Sequence, residues 1–144
     1  MGAVALDEIR VTPLRRIPVE GGDVLHAIKA SDPGFLAFGE AYFSIVHSGA
    51  VKAWKLHSRM TLNLVVPAGE VRFVFIAEDQ RSSREETIGE KNYARLTVPP
   101  GIWFGFQGLA RPYSLILNVA DLAHQPEEVI RKSMEEFPYD WKRN

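Results

Sequence analysis

From Gly49 to Gly69 the sequence GAVKAWKLHSRMTLNLVVPAG reads as two extended strands joined by a short turn around His57 to Met60. Side chains alternate faces along a strand, so Lys55 and His57 share one side, with Arg59 beside them if the strand persists. Trp54 and Leu56 point the other way. A strand backed by apolar residues that projects Lys, His and Arg together is not plain core, because unpaired charge is costly to bury. This hairpin restricts the chain to a β architecture with reactive groups gathered on one face.

The rest of the chain fits that restriction. Residues 1–20 read as an N-terminal arm in which Ile9-Arg10-Val11 forms an edge strand interrupted by Pro13. Val24 to Ala30 is a short strand, Ser31-Asp32-Pro33-Gly34 a turn, and Gly39 to His47 a strand with Tyr42, Ser44 and Val46 opposite Phe43, Ile45 and His47. Glu70 to Ala77 is apolar on both faces, as expected of a strand between two layers. Glu78 to Glu90 is charged and lacks an apolar period, so it reads as an exposed loop. Tyr93 to Val98, Ile102 to Phe106 and Ser114 to Val119 complete the strands. Pro126, the acidic Glu127 and Glu128, and apolar Val129, Ile130 and Met134 predict a C-terminal helix over 126–137. Short strands at close spacing with Gly and Pro turns argue for an all-β antiparallel sandwich or small barrel in one domain spanning 1–144.

Composition removes several function classes. The net charge of −1 offers no electrostatic basis for nucleic-acid or membrane-surface binding. With no Cys there is no disulfide framework, thiolate metal site or Cys nucleophile, which suits a cytoplasmic setting. No stretch approaches the roughly 20 apolar residues of a membrane span, and the N-terminus lacks the pattern of a signal peptide.

The spacing resembles that of the cupins, a jelly-roll family whose first motif is G-x5-H-x-H-x3–4-E-x6-G. Gly49, Lys55, His57, Leu62 and Gly69 stand at those places, and Pro99, Gly101 and Phe104 stand on the second motif, P-x-G-x2-H. Of the four metal-ligand positions only His57 can bind a metal, so a metal-free barrel without cofactor is expected. Within the cupins the chain looks most like the dTDP-4-dehydrorhamnose 3,5-epimerase group. The stretches that carry this likeness are Gly49 to Lys55, against G-x-x-R-G-x-H, and Pro99-Pro100-Gly101-Ile102-Trp103-Phe104-Gly105-Phe106, against P-x-G-x-x-H-G-F. The resemblance covers roughly residues 20 to 130 and implies a homodimer acting on a nucleotide-activated 4-keto-6-deoxy sugar.

Epimerisation beside a ketone needs a base for the α-proton, a positive group for the enolate oxygen and an acid on the other face. In a gapless alignment the family's basic His falls on Lys55, its Arg on Lys52, the His after the turn on Phe104, and its Tyr near His124. A two-residue shift places the base at His57 instead. Two assignments are open: a desolvated Lys55 as base, or His57 as base with Lys55 or Arg59 steadying the enolate and His124 as acid. Lys52, Arg59, Arg72 and Trp103 are candidates for substrate binding. Arg72 reads equally as a phosphate ligand or as an ion-pair partner for a carboxylate such as Glu40; Trp103 reads as packing or as a platform for a sugar or base. A related ketoisomerase needs the same groups, and a non-catalytic sugar-binding barrel needs only the pocket.

Overall fold

The computed structural model describes residues 5–142; the first four residues of the predicted arm and the last two of the chain lie outside the described residues. The strands in chain order are β1 (Arg10–Pro13), β2 (Arg16–Ile17), β3 (Val24–Leu25), β4 (Glu40–His47), β5 (Val51–His57) and β6 (Leu62–Ala68). They continue as β7 (Glu70–Ile76), β8 (Ser83–Gly89), β9 (Ala94–Val98), β10 (Trp103–Gly108), β11 (Tyr113–Ala120) and β12 (Val129–Arg131). Two five-stranded sheets, ordered β1-β9-β6-β11-β4 and β12-β5-β10-β7-β8, make the sandwich, with β2 and β3 as a separate pair. Pairing between the named strands is antiparallel throughout. The antiparallel β-sandwich read from the strand spacing is the fold observed. Among the described residues no helix is long and apolar enough to cross a membrane.

Alternation sorts each strand between the two sides. Val71, Phe73 and Phe75 of β7, Leu62, Leu64 and Val66 of β6, and Phe104 and Phe106 of β10 fill the space between the sheets. A second apolar cluster lies on the outside of the second sheet, where the indole of Trp54 meets Phe137 at 5.4 Å and Trp141 at 5.3 Å between ring centroids. The outside of the first sheet is covered in part by the segment around residues 26–34. Buried Arg95 of β9 holds it by donating to the carbonyls of Ala27, at 2.7 Å, and Pro33, at 3.3 Å.

Two elements differ from their sequence reading. The predicted helix over 126–137 is absent: a 3-10 turn at Pro126–Glu128 leads into β12, and a second such turn follows at Met134–Glu136. Pro126 does open a turn, but β12 adds to the edge of β5, with Ile130 opposite Leu56 and Arg131 opposite Lys55. An unfilled sheet edge next to Val129-Ile130 outweighs a weak helical period, since a short helix has little stability of its own. The charged stretch read as a loop contains β8, the outer edge strand of the second sheet. Charge is common on sheet edges, where it discourages pairing with another chain. Here Arg84 pairs with Glu86 at 3.0 Å and donates to the carbonyls of Leu6 and Ile9.

One irregularity decides what β5 presents. Against β10 its register runs Lys52 opposite Phe106, Ala53 opposite Gly105, then Lys55 opposite Phe104, so Trp54 is the extra residue of a bulge. Simple alternation would put Lys52 and Trp54 on one side. The bulge resets the phase, so that Lys52 pairs with inward Phe106 and Lys55 with inward Phe104, while Trp54 turns outward. Gly105 makes room for it: a β-carbon there would come within 2.5 Å of the Ala53 Cβ. Trp54 is 1% exposed, so Trp54→Ala should lower the unfolding free energy by about 3–5 kcal/mol. A urea melt reads this as a reduced midpoint at unchanged slope; an unaltered midpoint would remove Trp54 as the anchor of the outer cluster.

Candidate active site

At the end of β5 the chain turns sharply at Ser58 to Met60, and the turn is built around a side chain from a distant segment. The carboxylate of Glu128, 2% exposed, accepts from the amides of Arg59 at 3.0 Å and Met60 at 2.8 Å. Its other oxygen lies 2.7 Å from Nδ1 of His57. Burial works against the charge on Glu128, yet the His57 hydrogen bond and the two amides outweigh it and hold the carboxyl below its ordinary range. An ionised carboxylate only accepts, so Nδ1 of His57 carries the proton and Nε2 is left as the ring's basic nitrogen. The carboxylate thereby closes the turn and also fixes the tautomer and tilt of the imidazole.

His57 lines a pocket between the sheets together with Tyr42, Ser44, Lys55, Leu62, Phe104 and Asn118. Its floor is apolar, and Phe104 lies nearly parallel to the imidazole at 6.2 Å between centroids. Lys55 is desolvated by this surrounding and faces the charges of Arg131 and Lys52, which together lower its pKa. Across the pocket the Tyr42 hydroxyl accepts from Asn118 Nδ2 at 3.0 Å, which orients it and leaves its own proton free to donate. The volume is about 70 Å³, well under the roughly 300 Å³ and more of sites that enclose a whole ligand, so only part of a large ligand fits inside. Among the described residues no group of three His, Cys, Asp or Glu is placed to hold a metal ion.

Of the residues singled out from sequence, Lys55 and His57 line this pocket together. Lys52 faces the same way but lies exposed, with Nζ donating to the carbonyl of Ile45 at 3.0 Å. The structure places the other four outside this pocket. His124, read as the acid, is exposed, and its backbone amide donates to Glu40 at 3.1 Å. The Arg59 guanidinium donates to Gln125, so only the backbone of Arg59 takes part in the turn. Arg72 lies on the outward face of β7 and donates to Gln107 at 3.1 Å, and Glu40, its suggested partner, serves His124 instead. Trp103 packs on Phe137 at 5.7 Å outside the second sheet, beneath the Lys132 ammonium. Sequence reasoning missed Glu128, which no local signal connects to His57 across 71 residues. It also passed over Tyr42, although alternation along β4 already set it on one face with Ser44.

No protein-family model matches the chain. The crystal structure of a dTDP sugar isomerase from Desulfovibrio desulfuricans superposes with a TM-score of 0.88 at 35% identity, over 94% of this chain and 91% of that one. The chain belongs to the dTDP-sugar isomerase and epimerase family of cupin folds. Within that family, the probable low-salt glycan biosynthesis epimerase Agl13 of Haloferax volcanii is 30% identical over 107 residues, 69% of this chain and 66% of that protein. The spore coat polysaccharide biosynthesis protein SpsL of Bacillus subtilis is 22% identical over 140 residues, 94% of this chain and 91% of that protein.

The buried carboxylate gives this family member a pH signature. The folded-state pKa of Glu128 lies below its ordinary 4.5, so the unfolded chain binds the proton more readily. The associated stability is fully present above about pH 4.5 and is lost as pH falls through the lower folded value. Urea melts between about pH 6 and pH 3 should show a shallower acid decline for Glu128→Gln than for the wild type. Equal slopes would mean that the carboxylate is not held ionised.

Proposed function

We propose that this protein is a metal-independent nucleotide-sugar epimerase, acting on a dTDP-4-keto-6-deoxy sugar in the supply of surface polysaccharide. The observation that carries the reading is His57, locked by a buried carboxylate with Nε2 left free, next to Lys55 in a pocket between the sheets. His57 removes the proton on a carbon beside the ketone. The electron pair left behind moves toward the carbonyl group, which lies beside Lys55. Tyr42, on the opposite wall, replaces His124 as the acid that returns a proton. The pocket admits the reacting part of the sugar while the nucleotide lies over its mouth, near Lys52. The glycan and polysaccharide roles in the names of the two sequence relatives support the pathway assignment.

A ketoisomerase that moves the carbonyl is the second reading. It uses the same base, and the name of the Desulfovibrio protein, a dTDP sugar isomerase, is compatible with either reaction. In either reading the protein works in the cytoplasm, where nucleotide sugars are made, and as a homodimer. The dimer is supported by the free edge strand β4, whose outward Phe43, 62% exposed, and Ile45, 49% exposed, adjoin Leu117 and Leu115 of β11. Sedimentation should report a dimer that Phe43→Glu dissociates; a wild-type monomer would count against it.

Deuterium wash-in tests the chemistry. With dTDP-4-keto-6-deoxyglucose in heavy water, NMR should show exchange at carbons beside the ketone. His57→Ala should abolish it, and Tyr42→Phe should slow net epimerisation by about 10²–10⁴-fold. Migration of the carbonyl instead of inversion would select the ketoisomerase. Binding by calorimetry without exchange would leave a sugar-binding barrel without chemistry.

A further inference from the structure

The two positions at which the chain departs most plainly from the epimerase motifs, Lys55 and Phe104, are direct partners across β5 and β10. Where the resembled family has two imidazoles, this pocket has a primary amine against a phenyl ring. None of the lining residues is acidic, and among the described residues Lys55 forms no ion pair. Glu128, the carboxylate behind the pocket, is committed to His57 and two backbone amides. Arg131, across from Lys55 on β12, and Lys52 add positive charge nearby. An amine desolvated by aromatic and aliphatic walls and crowded by cations is driven toward its neutral form, the nucleophile that condenses with ketones.

We propose that Lys55 engages the ketone of the sugar covalently, as an iminium, so that the species formed when His57 takes the α-proton is a neutral enamine rather than an enolate. The inference rests on the keto-sugar reading of the pocket. Neutral Nζ adds to the carbonyl carbon, the C=O π pair moves to oxygen, and two proton transfers expel that oxygen as water, leaving C=N. His57 Nε2 then removes a proton from the adjacent carbon. The C–H pair becomes a C=C bond, and the iminium π pair comes to rest on nitrogen. Return of a proton to carbon restores the iminium, and water hydrolyses it to ketone and free amine. The water released first is taken up last, and no oxidant or reductant is involved. The α-proton is then lost to a C=N group whose nitrogen takes up the electron pair, so this step builds no enolate oxygen.

Reductive trapping separates this from an enolate held by an ammonium ion. The wild-type protein is incubated with dTDP-4-keto-6-deoxyglucose and cyanoborohydride, then examined by intact mass and peptide mapping. The expected product is one covalent adduct, substrate mass less water plus two hydrogens, on Lys55. Lys55→Arg keeps the positive charge but cannot condense, so it should lose the adduct and slow deuterium exchange by at least about 100-fold while melting like the wild type. Exchange in the wild type without an adduct on Lys55 would overturn the covalent step and leave the enolate reading intact. Exchange retained in Lys55→Arg would do the same. An adduct without exchange would uphold the iminium and remove the epimerase reading, and the absence of both would remove both.

Discussion

The carboxylate of Glu128 joins two parts of the chain that have no local reason to meet. It terminates β5 by capping the Ser58–Met60 turn, holds the segment that becomes β12 against that strand, and orients the imidazole that the proposed chemistry uses. A buried charge without such partners would cost several kcal/mol, so the three donors and the carboxylate stand or fall together. Capping a turn and orienting the proposed base are here two ends of one side chain. The site is therefore as stiff as the fold around it.

The bulge at Trp54 is the second constraint. It lets β5 carry an aromatic anchor outward and two lysines inward within four residues, which strict alternation forbids. Gly105 permits it, and the outer ring cluster of Trp54, Phe137, Tyr139 and Trp141 holds it in place. The outer anchor and the proposed reactive face are thus separated by the thickness of a strand. Exchanging Lys55 or Phe104 for other side chains leaves that anchor untouched.

The sandwich was legible in the sequence because strand period, Gly–Pro turns and the Pro-Pro-Gly frame before Trp103 all point the same way. Lys55 and His57 were legible for the same reason, since a period of two survives from His57 back to the bulge. What was not legible depends on long-range pairing. The C-terminal stretch has the spacing of a helix, and only the open edge of β5 makes Val129–Arg131 a strand. Arg72 and Trp103 have the right chemistry for a ligand but fall on the outward phase of β7 and β10. His124 matched a family position by alignment, while the hydroxyl that faces His57 comes from β4, a strand whose pattern by itself shows only two sides.

His57 and Tyr42 belong to different sheets, β5 in one and β4 in the other. Facing sheets in a sandwich stand about 10 Å apart, and that gap acts as a caliper around a flat ring. In the proposed reaction a sugar ring between the sheets shows one face to each, so a carbon that yields its proton to the imidazole and regains one from the phenol is turned inside out. The handedness of the product is then a matter of which sheet supplies the acid, a property of the architecture before it is one of any single residue.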